Sequence, residues 1–88
     1  MDELILDGNA VGGLLLEVFA QDVTRAGSRC DACGATEQLG ALRVHANAPG
    51  VVVRCPHCDA VLLRLVCDRD RIWVDLRGLR YLELRRAD

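Results

Sequence analysis

The chain has 88 residues, enough for one domain with a modest core, and domains this small often need a metal or disulfides as reinforcement. Hydrophobic residues make up 51% and aromatics 3%, which excludes a disordered tail and leaves Leu, Val, Ile and Ala to build the core. The formal net charge of −2 argues against nucleic acid as a default partner, because affinity for phosphate comes largely from cationic contacts.

Residues 1–8 are acidic and partly apolar, with Leu4, Ile5 and Leu6 between Asp2/Glu3 and Asp7. This acidic start lacks the pattern of a secretory signal, and no stretch approaches a membrane span, so a cytoplasmic protein with no membrane partner is expected. Asp7-Gly8-Asn9 is a turn and helix-start signal, with Asn9 as the candidate N-cap. Val11, Leu14, Leu15, Val18 and Phe19 then recur at helical spacing, which predicts an amphipathic helix over 9–21 that covers the core. Gly12 and Gly13 weaken that helix by about 1 kcal/mol each unless they permit close packing.

An extended segment is expected through 23–29, and a polar loop over 35–38. Over 39–46, Leu42 and Val44 alternate with Arg43 and His45, the pattern of a half-buried strand. Asn47-Ala48-Pro49-Gly50 reads as a turn, followed by a strand at 51–54 and a second, apolar one at 60–67. Asp68-Arg69-Asp70 is a polar turn. Over 71–77, Ile72, Val74 and Leu76 alternate with Arg71, Trp73, Asp75 and Arg77, predicting a strand with one buried and one wet face. Gly78 breaks it, 79–84 reads as an edge strand, and 85–88 as a frayed tail.

Two Cys-x-x-Cys hooks organise the chain: Cys30-Asp31-Ala32-Cys33 and Cys55-Pro56-His57-Cys58. Twenty-one residues separate Cys33 from Cys55, close to the ~15–20 of paired-hook zinc sites. Each hook sets two sulfurs on one tight turn, and two facing turns complete a tetrahedron. Gly34 is placed to supply a positive φ, and Pro56 pre-sets φ for a turn. A structural metal site at Cys30, Cys33, Cys55 and Cys58 is favoured over a dithiol redox pair or two disulfides. Zinc is the default metal and iron its rival. Four thiolates leave no open coordination position, and no triad is visible around His45 or His57, so an enzyme is not expected. Cys67 reads as a small buried hydrophobe. The odd cysteine count favours thiols and metal in a reducing compartment.

At the hooks, over about 28–77, the chain resembles a zinc ribbon, and its knuckles are similar to those of rubredoxins. The resemblance implies knuckles on β-hairpin turns and a small antiparallel sheet. It departs from the pattern at Asp59, where ribbons often carry glycine; Asp can adopt the left-handed conformation at some cost, with its carboxylate turned away from the metal. The wider sequence resembles a small bacterial family of zinc-ribbon-like proteins to which no activity is attached. The stretches that carry this are Leu6-Asp7-Gly8-Asn9-Ala10 with Glu17-Val18-Phe19, Arg54-Cys55-Pro56-His57-Cys58-Asp59-Ala60-Val61-Leu62-Leu63-Arg64, and Asp75-Leu76-Arg77-Gly78.

The expected fold is therefore a small β-rich (α+β) domain: a zinc-ribbon-like antiparallel sheet with two Cys-x-x-Cys knuckles and one N-terminal amphipathic helix. It divides into an N-terminal segment and helix (1–22), a ribbon core (28–77) and an edge strand with tail (78–88). The expected role is a metal-stabilised module that binds another protein. A nucleic-acid-binding ribbon is the first alternative, and a rubredoxin-like iron protein the second. Arg71, Trp73 and Arg77 are the candidate interaction surface, since arginine and an aromatic can anchor a partner or stack on bases. The competing account makes Trp73 a packing residue under Arg64 or the helix. The acidic 1–22 segment and the basic 77–86 segment are expected to pair within the molecule.

Overall fold

A computed structural model describes residues 4–47 and 50–85. Strand β1 (Leu4–Asp7) leads through a 3-10 turn (Gly8–Val11) into helix α1 (Gly12–Phe19). Seven further strands follow: β2 (Gly27–Cys30), β3 (Thr36–Gln38), β4 (Arg43–Asn47), β5 (Gly50–Arg54), β6 (Val61–Cys67), β7 (Ile72–Asp75) and β8 (Leu79–Glu83). They form two antiparallel sheets rather than the one expected: a five-stranded sheet β1-β4-β5-β6-β7 and a three-stranded sheet β3-β2-β8.

The helix begins and ends differently from its pattern. Because the chain enters through a 3-10 turn, the capping role passes from Asn9 to Asp7, whose Oδ1 accepts the Asn9 N–H at 3.1 Å. The helix stops at Phe19, short of 21, because Ala20 adopts φ 58°, the left-handed conformation that closes many helices. Leu15 is its buried residue, with Leu14, Val18 and Phe19 partly buried against the core. Gly13 packs against nothing, since a Cβ there would meet no atom within 4 Å.

Alternation over 42–45 holds: Leu42 and Val44 are buried and Arg43 is exposed. In register, Val44 faces Val53 and Val53 faces Leu63, so one face of the large sheet presents a continuous aliphatic row. Leu15, Val23, Leu39 and Leu42 pack with that row to form the core, which Cys30 and Cys55 also join. The expected turn between β4 and β5 falls partly on 48–49, outside the described residues, but Asn47 pairs with Gly50 across it. The expected tail likewise extends beyond the described residues.

Three expectations are corrected. Residues 36–38 are a strand rather than a loop, because β2 supplies a hydrogen-bonding partner that polar side chains do not prevent. Residues 39–41, expected to open the strand over 39–46, form a 3-10 turn instead, and Leu4–Asp7, for which no element was expected, form β1, whose partner β4 lies some forty residues away in the chain. The apolar phase of 71–77 is not buried: Val74 is 39% and Leu76 37% exposed, because β7 is a border strand that the core only partly covers. The edge strand expected at 79–84 does form, as β8, but it borders the small sheet against β2.

Candidate metal centre

The hooks occupy equivalent turns, one after β2 and one after β5. In the first, the Cys30 N–H donates to the Ala35 carbonyl and the Gly34 N–H to the Cys30 carbonyl, both at 2.9 Å. In the second, the Cys55 N–H donates to the Ala60 carbonyl and the Asp59 N–H to the Cys55 carbonyl, again at 2.9 Å. Gly34 (φ 79°) and Asp59 (φ 66°) both take the left-handed conformation that closes the turn, as anticipated for each. The turn aims backbone donors at sulfur: Cys33 N–H to Cys30 Sγ at 3.5 Å, and His57 N–H to Cys55 Sγ at 3.4 Å.

The structure brings Cys30, Cys33, Cys55 and Cys58 together, with all four sulfurs within 4.8 Å of one another. The Cys30–Cys58 and Cys33–Cys55 sulfur pairs are 3.7 Å apart, and every cysteine is a free thiol. A tetrahedron with metal–sulfur bonds of ~2.3 Å has edges of ~3.8 Å, so these separations suit a central ion. The first cysteine of each hook is buried and the second is exposed.

Protonation supports the same fit. Burial disfavours a thiolate at Cys30, but the N–H groups of Cys33 and Ala32 and the thiols of Cys58 and Cys33 outweigh it and lower its pKa to about 7. The Ala60 N–H favours ionisation of Cys58, but desolvation and the sulfurs of Cys30, Cys33 and Cys55 push it up to about 12. At Cys33 the Ala35 N–H lowers the pKa, yet desolvation and the sulfurs of Cys55 and Cys30 leave it raised. Four sulfurs this close cannot all ionise alone; a divalent cation at their centre supplies the missing charge. These residues therefore fit a metal ion, which would serve to hold the two turns together.

Each hook is preceded by an arginine that folds back over it. Arg54 Nη1 donates to the Asp59 carbonyl at 2.9 Å, and Arg29 Nη2 lies 3.5 Å from where a Cβ on Gly34 would stand. Neither arginine was expected to brace a hook, although the signal is readable in the chain: Arg29-Cys30-x-x-Cys33-x-Ala35 repeats as Arg54-Cys55-x-x-Cys58-x-Ala60.

Two further links join the hooks, and neither was foreseen. His57 Nε2 lies 2.8 Å from Glu37 Oε1, tying the second hook to β3; the histidine points outward, as expected. The Gly78 carbonyl accepts the Asp31 N–H of the first hook at 3.0 Å, while the Gly78 N–H donates to Leu62 at 3.1 Å on the strand leaving the second. A Cβ at Gly78 would stand 1.8 Å from the Val61 oxygen, so this crossing admits only glycine.

The remaining candidates lie elsewhere. Cys67 ends β6, half-buried and outside the sulfur cluster. His45 sits in β4, paired in register with Ile5 and Val52. Asp59 is exposed and not among the clustered ligands. On β7, Arg71 lies over the Trp73 ring at 5.6 Å from its centroid, and Trp73 is 49% exposed opposite Val66. In register, Arg64 faces Asp75, the next residue on the Trp73 face of β7. Arg77 binds Asp75 at 2.7 Å, and its guanidinium holds the Asp75 pKa down at about 2. The structure thus brings Arg71 and Trp73 together and commits Arg77 to an acidic partner.

Among the described residues, no helix is long and apolar enough to cross a membrane. No curated protein and no solved structure matches the chain. Residues 1–87 match the model of DUF6510, a family of unknown function, and the chain belongs to that family.

Proposed function

We propose that the protein is a zinc-ribbon domain in which Cys30, Cys33, Cys55 and Cys58 hold one structural zinc, and that it acts in the cytoplasm as a protein-interaction module rather than an enzyme. The observation that carries the metal reading is the matched pair of turns with sulfurs 3.7 Å apart across them. Four thiolates close the coordination sphere, which supports a mechanical rather than a catalytic role for the ion. A tetrahedral four-sulfur site also suits iron, and zinc is preferred as the redox-inert default. The interaction role rests on the half-exposed Trp73, an aromatic of the type that dominates interface energetics.

Nucleic-acid binding is the second reading, favoured by the Arg71–Trp73 contact, which resembles a base-stacking platform. Against it, two arginines near Trp73 along the border have an acid to face: Arg64 is opposite Asp75, which also binds Arg77.

Elemental analysis of untagged protein, run with a pull-down from native cells, tests the proposal. One zinc per chain and a stoichiometric protein partner are expected. One iron per chain in a red, redox-active preparation would transfer the site to the rubredoxin-like reading. Salt-dependent binding to single- or double-stranded nucleic acid would favour the second.

A further inference from the structure

We propose that the free border of β7 pairs antiparallel with the same border of a second copy of this chain, joining two five-stranded sheets across a two-fold axis. This deepens the interaction reading above, and rests on it, by naming the occupant of the Trp73 surface.

Strand β7 ends the large sheet, with β6 on one side and no strand hydrogen-bonded to the other among the described residues. Its exposed apolar side chains lie on both faces. Trp73 is 49% and Val74 39% exposed, and successive residues of a strand point to opposite faces. Val66, opposite Trp73, and Leu76, just past the strand, add 37% each. Apolar surface that wraps around a border is poorly covered by a partner docking on one face. An added strand covers both at once, and its backbone satisfies the open donors and acceptors. The borders of the small sheet are more polar: β3 is Thr-Glu-Gln, and β8 sets its exposed Tyr81 between the charged Arg80 and Glu83.

What selects a second copy is the order of residues. Arg71-Ile72-Trp73-Val74-Asp75 is complementary to itself when reversed. An antiparallel register centred on Trp73 sets Trp73 against its counterpart and Ile72 against Val74. Arg71 then faces Asp75 at both ends. All five pairs are favourable cross-strand combinations, and no like charges meet among them. The arrangement is isologous and closes on itself, so it yields a dimer rather than a fibre.

The test uses the full zinc-loaded chain in sedimentation equilibrium from about 1 to about 500 μM, the range suited to a small interface. A monomer–dimer equilibrium is expected, with a concentration-dependent shift in the emission of Trp73, the single tryptophan. Val74→Lys, which sets an ammonium against Ile72, should weaken association at least tenfold while leaving the zinc content unchanged. Arg71→Glu and Asp75→Arg should each abolish the homodimer by opposing like charges. Mixed in equal amounts, those two variants should form a heterodimer, because their altered ends then complement each other. A wild-type chain that stays monomeric throughout, a dimer that survives Val74→Lys, or variants that fail to associate on mixing would each overturn self-pairing. A monomeric wild type that captures a different protein through Trp73 would also overturn it, while leaving the interaction reading in place.

Discussion

The two knuckles share a backbone and differ in what closes and surrounds it. Both run from an arginine through two cysteines to an alanine, with the same pair of 2.9 Å backbone hydrogen bonds. The first uses Gly34 at the left-handed position and the second uses Asp59. The first lies against the Gly78 crossing and the second against Glu37 of β3. The common part is what four convergent sulfurs demand, and the rest reflects neighbours. Equivalent geometry therefore does not mean equivalent tolerance: glycine pays no Cβ penalty at that φ, whereas aspartate accepts one.

The largest expected effect removes the feature common to both knuckles. Cys30→Ser or Cys58→Ser should abolish stoichiometric metal binding and unfold much of the domain, since folding and metal binding are one equilibrium in small sites. Cys67→Ser, on β6 and outside the cluster, should cost about 1 kcal/mol and keep the metal. Elemental analysis with amide-proton dispersion separates the two cases; loss of the metal from the Cys67 variant would show that the ligand set is wrong.

Gly78→Ala attacks the crossing that joins the first knuckle to the strand after the second. Its new Cβ would meet backbone at 1.8 Å, which no rotamer change relieves. A loss of about 2–3 kcal/mol is expected in denaturant titration of the metal-loaded protein. An unchanged midpoint would show that the crossing relaxes freely.

The contrast at the left-handed position predicts opposite signs. Gly34→Ala should destabilise by about 1–2 kcal/mol, whereas Asp59→Gly should be neutral or stabilise by up to ~1 kcal/mol. Equal losses from both would mean that Asp59 contributes a contact through its side chain and that the knuckles are less alike than their backbones. The smallest effect lies outside both knuckles. Gly13→Ala, in an exposed helical position with open space around it, should raise stability by about 0.5–1 kcal/mol, read as a higher thermal midpoint.

Much of the site was legible because its signal is local. Cys-x-x-Cys spacing sets two sulfurs on one turn whatever lies around it, and the residue after each hook reports the φ that closes the turn. The arginine and alanine that frame each hook were equally local, visible as a repeat once the turns were compared. The links from Gly78 and Glu37 were not, because nothing near either residue in sequence signals partners that lie 16 and 47 positions from Gly78 and 20 from Glu37. Nor could alternation tell that Val74 would stand 39% exposed: period two states that a strand has two faces but not whether either is covered.

By itself, then, the order of residues determined the paired hooks, the helical stripe ending at Phe19, and the presence of four strands, read at 39–46, 51–54, 60–67 and 71–77 and found at 43–47, 50–54, 61–67 and 72–75. Each of these follows from side-chain type and from spacings of a few residues. Only the tertiary structure decided that the strands divide into two sheets, that Asp7 rather than Asn9 caps the helical segment, and that β7 lies at a border with apolar side chains on both faces. Those outcomes depend on which distant backbone comes to lie alongside, and pairing between distant segments is settled by the sum of burial and hydrogen bonding over the whole chain.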